Sequence, residues 1–263
     1  MVKIISIANQ KGGVGKTTTS VNLSASLAAY KKRVLLVDLD PQGNATMGSG
    51  VNKQECTLSV YHVLTAKNPT AEVIVKATTG KYDLLPANRD LVAAEVELMK
   101  EIGRESKLKL ALGEVSENYD YVIIDCPPTL NMLTVNALVA SEGVIVPMQC
   151  EYFSLEGLAD LNNTIKQIAK LINPSLHIQG ILRTMYDPRS SLTNAVTAQL
   201  RKYFGDRVYR VSIPRNVRLA EAPSHGLPVL MYDRNSKGSI AYLALAGEIL
   251  RLEKQQKADL VKA

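Results

Sequence analysis

The sequence predicts an α/β fold, with a mostly parallel twisted sheet and helices on both faces. Short apolar runs alternate with helical patterns along the chain, which is the order expected of a sheet covered by helices. The runs are apolar throughout instead of alternating with polar residues, as is typical of parallel strands buried on both faces. The first run leads into a glycine-rich loop and then into a long segment rich in Ser, Thr and Ala.

The amino-terminal third of the chain begins with a β-α-β unit. Residues 2–8 are the first strand, and a second strand at 34–40 follows the basic triplet at 31–33, whose charge suits the end of a helix.

A long helix is predicted over 155–172, ending before Asn173 and Pro174. Similar apolar runs predict further strands at residues 82–86, 121–125, 143–148, 178–185 and 211–213.

A last helix is predicted from about 239 to 252, where apolar residues form one stripe. The Lys- and Gln-rich tail from about 253 is expected to fray. No internal repeat and no Pro/Ser-rich linker divides the chain, so we expect residues 1–263 to form a single domain. The segment from about 44 to 110 carries the weakest pattern.

Composition excludes several classes of protein. The 263 residues are 46% hydrophobic and 21% charged, which is ordinary globular usage. No apolar run approaches the length of a membrane span, and residues 1–9 are too short for a signal peptide, so we expect a soluble cytoplasmic protein. Three scattered cysteines and three scattered histidines predict neither a disulfide framework nor a structural zinc site.

The loop after the first strand has the composition of a phosphate site. It reads Gly12-Gly13-Val14-Gly15-Lys16-Thr17-Thr18 and stands between a strand and a helix, where backbone N–H groups can surround phosphate oxygens. Lys16 can reach the β- and γ-phosphates, and the Thr17 hydroxyl can coordinate Mg²⁺. The usual glycine five positions before Gly15 is replaced by Gln10. The alternative is a glycine-rich turn that binds nothing.

Lys11 precedes this loop and adds a second lysine. An exposed loop lysine is one interpretation. The other is a catalytic cation that neutralises charge on the transferring phosphoryl group, as an arginine finger does.

Three aspartates follow predicted strands. Asp38 and Asp40 are two residues apart, so a strand would place both side chains on one face, near the carboxyl edge where open α/β sheets bind ligands. Asp125 ends the run at 121–125 and fits a carboxylate that holds Mg²⁺ directly or through water. A buried acid that caps a turn is the alternative for each.

These motifs resemble the ParA family of P-loop ATPases, whose Soj-like members have a deviant Walker A loop and are related to MinD and the nitrogenase iron protein. The resemblance rests on NQKGGVGKTTT, VDLDPQGN, YVIIDCPP and IPRNVRLAEAPSHGLP, at 9–19, 37–44, 121–128 and 213–228.

The resemblance implies an ATPase of weak intrinsic activity that converts ATP and water into ADP and phosphate. Lys11 would reach the partner's nucleotide in a two-ATP sandwich homodimer, and Asp40 would orient or deprotonate the attacking water. Asp38 would support the Mg²⁺ site, and the loop after Asp125 would sense the γ-phosphate. Pro214, Arg215 and Asn216 would border the adenine, although a turn that ends a strand explains Pro and Asn equally well.

The net charge of +6 is concentrated in one stretch. Residues 183–218 hold eight basic residues, seven of them Arg, against two aspartates. Arginine suits phosphate recognition, whereas a solvated face is the simpler interpretation. By resemblance, Arg189 and Arg218 match positions that contact DNA non-specifically. The phosphate loop begins too early for a preceding helix-turn-helix domain, so sequence-specific repression is not expected.

The resemblance therefore implies a cytoplasmic, nucleoid-associated protein that segregates chromosomes or plasmids. A DNA-bound ParB-type partner would stimulate ATP hydrolysis and release the dimer from DNA. The main alternative is a MinD-like membrane-associated regulator, but the tail lacks the apolar face that membrane binding needs. An iron–sulfur carrier would require paired cysteines, and a ligase that phosphorylates a small carboxylate would require a substrate pocket that the sequence does not reveal.

Overall fold

The computed structural model describes residues 2–262, apart from the side chains of Lys257, Leu260, Val261 and Lys262. The strands within this range are β1 (Lys3–Ile7), β2 (Val34–Asp38), β3 (Val75–Ala77), β4 (Tyr82–Leu85), β5 (Tyr121–Asp125), β6 (Gly143–Gln149), β7 (His177–Tyr186) and β8 (Val208–Pro214). They form one sheet in the order β3-β4-β2-β5-β1-β6-β7-β8. The pair β3–β4 is antiparallel and the other neighbours are parallel.

Helices cover both faces of this sheet. They are α1 (Lys16–Ala29), α2 (Asn44–Gly48), α3 (Val60–Leu64), α4 (Thr70–Val73), α5 (Leu91–Leu98), α6 (Lys107–Gly113), α7 (Met132–Ala140), α8 (Ser154–Leu171), α9 (Ser191–Phe204), α10 (Val217–Glu221), α11 (Val229–Tyr232) and α12 (Lys237–Lys262).

Successive residues of the central strands enter two separate cores. In β5, Val122 and Ile124 belong to a core that includes residues of α3–α9, whereas Tyr121 and Ile123 belong to one that includes residues of α1, α2 and α10–α12. All five residues of β5 are buried. This two-sided burial explains the continuous apolar runs, and the predicted mostly parallel α/β sheet is confirmed.

The elements follow the predicted order, with the following differences. β2 ends at Asp38, so Asp40 lies beyond the strand that was predicted to continue to residue 40 and to present both side chains on one face. β3 was not predicted, because a three-residue edge strand with one buried residue leaves almost no pattern. The last helix begins at Lys237 and continues to Lys262, although we expected fraying from about residue 253. A hydrogen bond of 2.5 Å from the Tyr121 hydroxyl to Glu253 Oε2 ties this part of α12 to the sheet.

Candidate functional site

The glycine-rich loop lies at the carboxyl edge of the sheet, between β1 and α1. Gly13 and Gly15 have φ angles of +72° and +89°, which side chains with a Cβ rarely adopt. Gly15 is the residue that immediately precedes α1, and no side chain caps the helix there. The first backbone N–H groups of α1 are therefore available to an anion, as phosphate binding requires.

Side chains from distant strands hold this loop in place. The Thr184 hydroxyl donates to the carbonyl of Val14 at 2.8 Å, and Gln149 Nε2 donates to the carbonyl of Gly13 at 3.2 Å. Both donors lie near the carboxyl ends of their strands, next to the loop. Sequence reasoning missed them, because nothing local in the sequence links them to residues 13 and 14.

The two lysines of the loop have different environments. Lys16 is 8% exposed, and its Nζ donates to the carbonyl of Lys11 at 3.1 Å, so it folds back over the loop. Burial lowers the pKa of the Lys16 ammonium, whereas Asp125 opposes that effect. Lys11 points away from the loop, and its half-exposed Nζ lies 2.5 Å from Glu151 Oε2.

Asp38 and Asp125 lie side by side on neighbouring strands. They are partners in the register of β2 and β5, and both are fully buried. Burial is the largest cause of the raised pKa of each carboxyl, and for Asp125 the negative charge of Asp38 adds to the effect. Such a pair favours a nearby cation.

The hydrogen bonds distinguish the roles of the three aspartates. Asp38 Oδ2 accepts from the Thr46 amide and hydroxyl, both at 2.7 Å, and its Oδ1 accepts from the Asp40 amide at 3.2 Å. Asp40 Oδ1 accepts from the Gln42 amide at 2.9 Å, and its side chain is partly exposed. Asp38 therefore fixes the start of α2 and the backbone of Asp40.

Asp125 keeps one oxygen for a further ligand. Its Oδ1 accepts from the Ser20 hydroxyl at 2.8 Å, whereas its buried Oδ2 has no hydrogen-bond partner among the described residues. The Thr17 hydroxyl also lies close enough to lower the pKa of Asp125. These oxygens fit Mg²⁺, which prefers oxygen ligands and keeps several waters. No group of three His, Cys, Asp or Glu side chains among the described residues is arranged to hold a metal.

A cavity of about 210 Å³ opens beside the loop. Gly15 and Thr18 line one side of it, and Pro214, Arg215 and Asn216 line the other. The structure therefore brings the two predicted nucleotide segments together. Asn216 also accepts from the Arg218 amide at 3.1 Å, which begins α10 at the rim of the cavity.

The basic stretch divides between the two edges of the sheet. Arg189 and Arg218 follow β7 and β8 and lie at the edge that carries the loop, whereas Arg201 and Lys202 end α9 at the opposite edge. Arg189 pairs with Asp187 at 2.9 Å, and Arg218 pairs with Glu221 and Asp233. Arg183 is only 3% exposed, so it cannot contribute to a basic surface. The stretch is thus not one continuous face.

This combination of a parallel sheet, a glycine loop that opens α1 and a carboxylate on the adjacent strand defines a P-loop nucleoside triphosphatase. Residues 2–178 match a family model described as an AAA domain. The chain is 53% identical to the sporulation initiation inhibitor protein Soj of Bacillus subtilis, over 95% of this chain and 98% of that protein. It is 48% identical to the chromosome partitioning protein ParA of Caulobacter vibrioides, over 98% and 97% respectively. The chain belongs to the ParA/Soj family.

Solved structures share this fold over nearly the whole chain. A structure described as cobyrinic acid a,c-diamide synthase of Mycobacterium smegmatis, with bound ADP and magnesium, has a TM-score of 0.85 and 38% identity, and the match covers 97% of this chain and 96% of that one. The cell division ATPase MinD of Pyrococcus furiosus has a TM-score of 0.79 and 25% identity, with coverage of 96% and 100%.

Proposed function

We propose that this chain is an ATP-dependent DNA-segregation protein. ATP binding would join two copies into a sandwich dimer that binds DNA without sequence preference, and hydrolysis would separate them. The names of the relatives support partitioning as the process, since the ParA protein of Caulobacter vibrioides is a chromosome partitioning protein.

As a member of this family the chain is an ATPase, and ATP and Mg²⁺ are its ligands. Bound Mg²⁺ would neutralise phosphate charge, with Thr17 and Asp125 as its protein contacts and Asp38 as their support. Lys16 would contact the β- and γ-phosphates, and the amides from Gly12 to Thr18 would surround them. Asp40 is the partly exposed carboxylate of the site, so we assign it the role of positioning the attacking water.

The observation that carries the dimer is the direction of Lys11. Its ammonium group lies outside its own loop and contacts Glu151, at the end of β6. Beside Glu151, Tyr152 and Phe153 are 73% and 76% exposed and contact each other edge to face. Exposed aromatic residues next to an ion pair are typical of a surface that becomes buried in a complex. A second copy seated on this edge would cover them and receive Lys11.

DNA contact is assigned to the loop-bearing edge. Arg189 and Arg218 are exposed there, and two copies would place both pairs on one assembly. The acidic partners of Arg189 and Arg218 must be displaced by phosphate. These ion pairs are exposed and screened by solvent, so displacing the acidic partners costs little.

A test of this assignment compares DNA binding with ATP, with ADP and without nucleotide. We expect binding with ATP only, with a steep loss of affinity when the salt concentration is doubled. Arg189→Glu and Arg218→Glu should abolish binding and leave ATP binding intact. Arg201→Glu, at the opposite edge, is the matched control. Salt-insensitive binding, or equal loss in all three variants, would contradict the assignment.

The cycle also needs a signal for release. We propose a DNA-bound partner of the ParB type, which stimulates hydrolysis and frees the dimer from DNA. ATP turnover would then move or position chromosomes or plasmids. This proposal places the protein in the cytoplasm, on the nucleoid.

A MinD-like membrane regulator is the alternative suggested by the shared fold. Within residues 2–262, no helix is both long and apolar enough to cross a bilayer. Attachment to the membrane surface is tested by co-sedimentation with anionic vesicles in the presence of ATP. We expect the protein not to co-sediment. Attachment that depends on α12 would favour the MinD-like function.

The Mycobacterium smegmatis structure suggests a second candidate, an amide-forming synthase. A synthase that released ammonia from glutamine within this chain would need a reactive cysteine. Burial raises the pKa of all three thiols, that of Cys126 to about 12, so none is activated. The higher identity to Soj and ParA also favours partitioning. ATP turnover that required a carboxylate substrate and an amine donor would support the synthase.

A further inference from the structure

A second cavity lies at the amino-terminal edge of the sheet, opposite the nucleotide site. Its volume is about 270 Å³, and we call it the amino-edge pocket. The starts of β1, β6, β7 and β8 form its base, and the carboxyl-terminal half of α12 covers it. Its polar lining includes Lys3, Glu142, Gln179, Arg207, Tyr209 and Glu253, together with His177 and Gln256 at its rim.

The backbone makes room for this pocket at three places. Gln179 is an extra residue in β7, because the register with β6 shifts between Val144 and Ile145. A Cβ on Gly143 would lie 2.4 Å from Gln179 Oε1, and one on Gly180 would lie 2.2 Å from the Tyr209 ring. Bulges commonly redirect a side chain toward a site. At positions 143 and 180 any larger residue would clash with the Gln179 or Tyr209 side chain, so glycine is needed at both. The pocket is therefore a built feature of the sheet.

Three buried polar atoms in the pocket make no hydrogen bond among the described residues, and one of them, Glu142 Oε1, is instead paired with Lys3. The Tyr209 hydroxyl belongs to a side chain that is 2% exposed, and it makes no hydrogen bond within the described chain. Glu253 Oε2 accepts from the Tyr121 hydroxyl, whereas the buried Oε1 has no partner among the described residues. Leaving such groups unpaired costs about 1–3 kcal/mol each, so native structures rarely do so.

The pocket is lined by two carboxylates and two cations, and the carboxylates differ in their partners. Lys3 Nζ lies 3.2 Å from Glu142, so that carboxylate has a cation. Glu253 has no ion pair among the side chains that the structure describes. Burial and then the charges of Glu248 and Glu253 raise the pKa of Tyr209, so the Glu253 carboxylate lies close to that hydroxyl. A carboxylate only accepts hydrogen bonds, so a ligand that contacts Glu253 must donate.

We propose that the amino-edge pocket binds a small molecule with a primary ammonium group. The ammonium would donate to Glu253 Oε1 and to the oxygen of the Tyr209 hydroxyl. The volume suits a ligand smaller than the drug-sized molecules that fill pockets of about 300–1,000 Å³. Two kinds of ligand carry such an ammonium group. One is a free aliphatic diamine, and the other is an amino acid whose carboxylate would face Arg207 at the opening of the pocket.

Isothermal titration of the full chain without nucleotide tests the proposal, with 1,4-diaminobutane in one arm and L-lysine in the other. Choline is the control ligand, because it has the charge but no N–H donor. We expect one binding site per chain for at least one amine and none for choline. Glu253→Gln should weaken binding about tenfold or more, as loss of a charged hydrogen bond would. Tyr209→Phe should weaken it less and retains the ring that packs on Gly180.

Glu156→Gln removes an exposed carboxylate on α8 and should leave amine binding unchanged. ATP binding serves as the fold check for every variant, since the nucleotide site lies at the other edge. Binding that survives in Glu253→Gln, or that choline matches, would show non-specific attraction and overturn the proposal. Absence of binding by both amines would overturn it too and would leave water as the occupant. None of these results depends on DNA segregation.

Discussion

Asp40 differs from the other two site aspartates because its carboxylate is partly exposed and accepts a hydrogen bond from the Gln42 amide. A group that positions water contributes about 10²–10⁴-fold to a reaction rate. We therefore expect Asp40→Ala to bind ATP and to accumulate as a dimer. Its rate of hydrolysis should fall by about 100-fold or more.

Steady-state phosphate release and ATP binding by equilibrium titration check this prediction. Asp160→Ala, an exposed aspartate on α8, is the control and should keep the wild-type rate. Unchanged turnover in Asp40→Ala would remove Asp40 from the catalytic assignment.

Asp38 and Asp125 predict a pH dependence of the nucleotide-free, Mg²⁺-free chain. Burial raises the pKa of both carboxyls above the ordinary value of 3.8, so the folded state binds protons more tightly than the unfolded state. Their contribution to stability is complete below that value and is lost as the pH rises through the raised pKa values.

The free energy of unfolding, measured by urea titration across this pH range, should therefore fall with rising pH. Asp125→Asn should flatten the fall, because an amide cannot ionise. A slope that is the same in wild type and variant would show that Asp125 is not the titrating group.

At the scale of elements, the phosphate loop depends on β7. The Thr184 hydroxyl is a donor to the Val14 carbonyl, and Thr184 also lines the cavity beside Gly15. Thr184→Val keeps the shape and removes a hydrogen bond worth about 1 kcal/mol, so ATP affinity should fall about fivefold.

Equilibrium titration with ATP measures this effect. Thr164→Val, whose hydroxyl bonds only to the carbonyl of Asp160 in its own helix, is the matched control. An affinity equal to wild type in Thr184→Val would mean that β7 does not support the loop.

Elements with a strong local pattern were predictable from the sequence. The buried run at 121–125 was placed at its observed bounds, and the loop at 12–18 was found from its glycines, lysine and threonines. β3 was missed because an edge strand of three residues has no such pattern. The support from Thr184 was missed for a different reason, since 170 residues separate it from Val14.

The residue types of the candidate site could be predicted from the sequence, but their contacts could not. Asp38 and Asp125 were each predicted to follow a strand, but their side-by-side placement depends on the register of β2 and β5, which the sequence does not reveal. Which carboxylate oxygen remains free depends on partners such as Ser20 and Thr46, which only the folded chain reveals. Burial of Arg183 likewise results from long-range packing, so counting charges overstated the basic surface.

Over the whole molecule, the proposed nucleotide site lies at the carboxyl ends of the strands and the amino-edge pocket at their amino ends. Helix α12 contributes residues near both. Its Tyr242 hydroxyl lies 3.1 Å from the Thr19 hydroxyl of α1, whereas its Glu253 lines the amino-edge pocket. Strands that span residues 3 to 214 share one sheet, and on this basis we continue to treat the chain as a single domain.

The nucleotide-dependent assembly of two chains is the central claim for the whole molecule. Sedimentation velocity measures it directly on the wild-type chain and on Lys11→Ala, each with ATP, with ADP and without nucleotide. The wild-type chain should sediment as a dimer with ATP and as a monomer otherwise, and Lys11→Ala should bind ATP yet remain a monomer. A wild-type chain that stays monomeric with ATP, or a Lys11→Ala chain that dimerises as well as wild type, would contradict the claim.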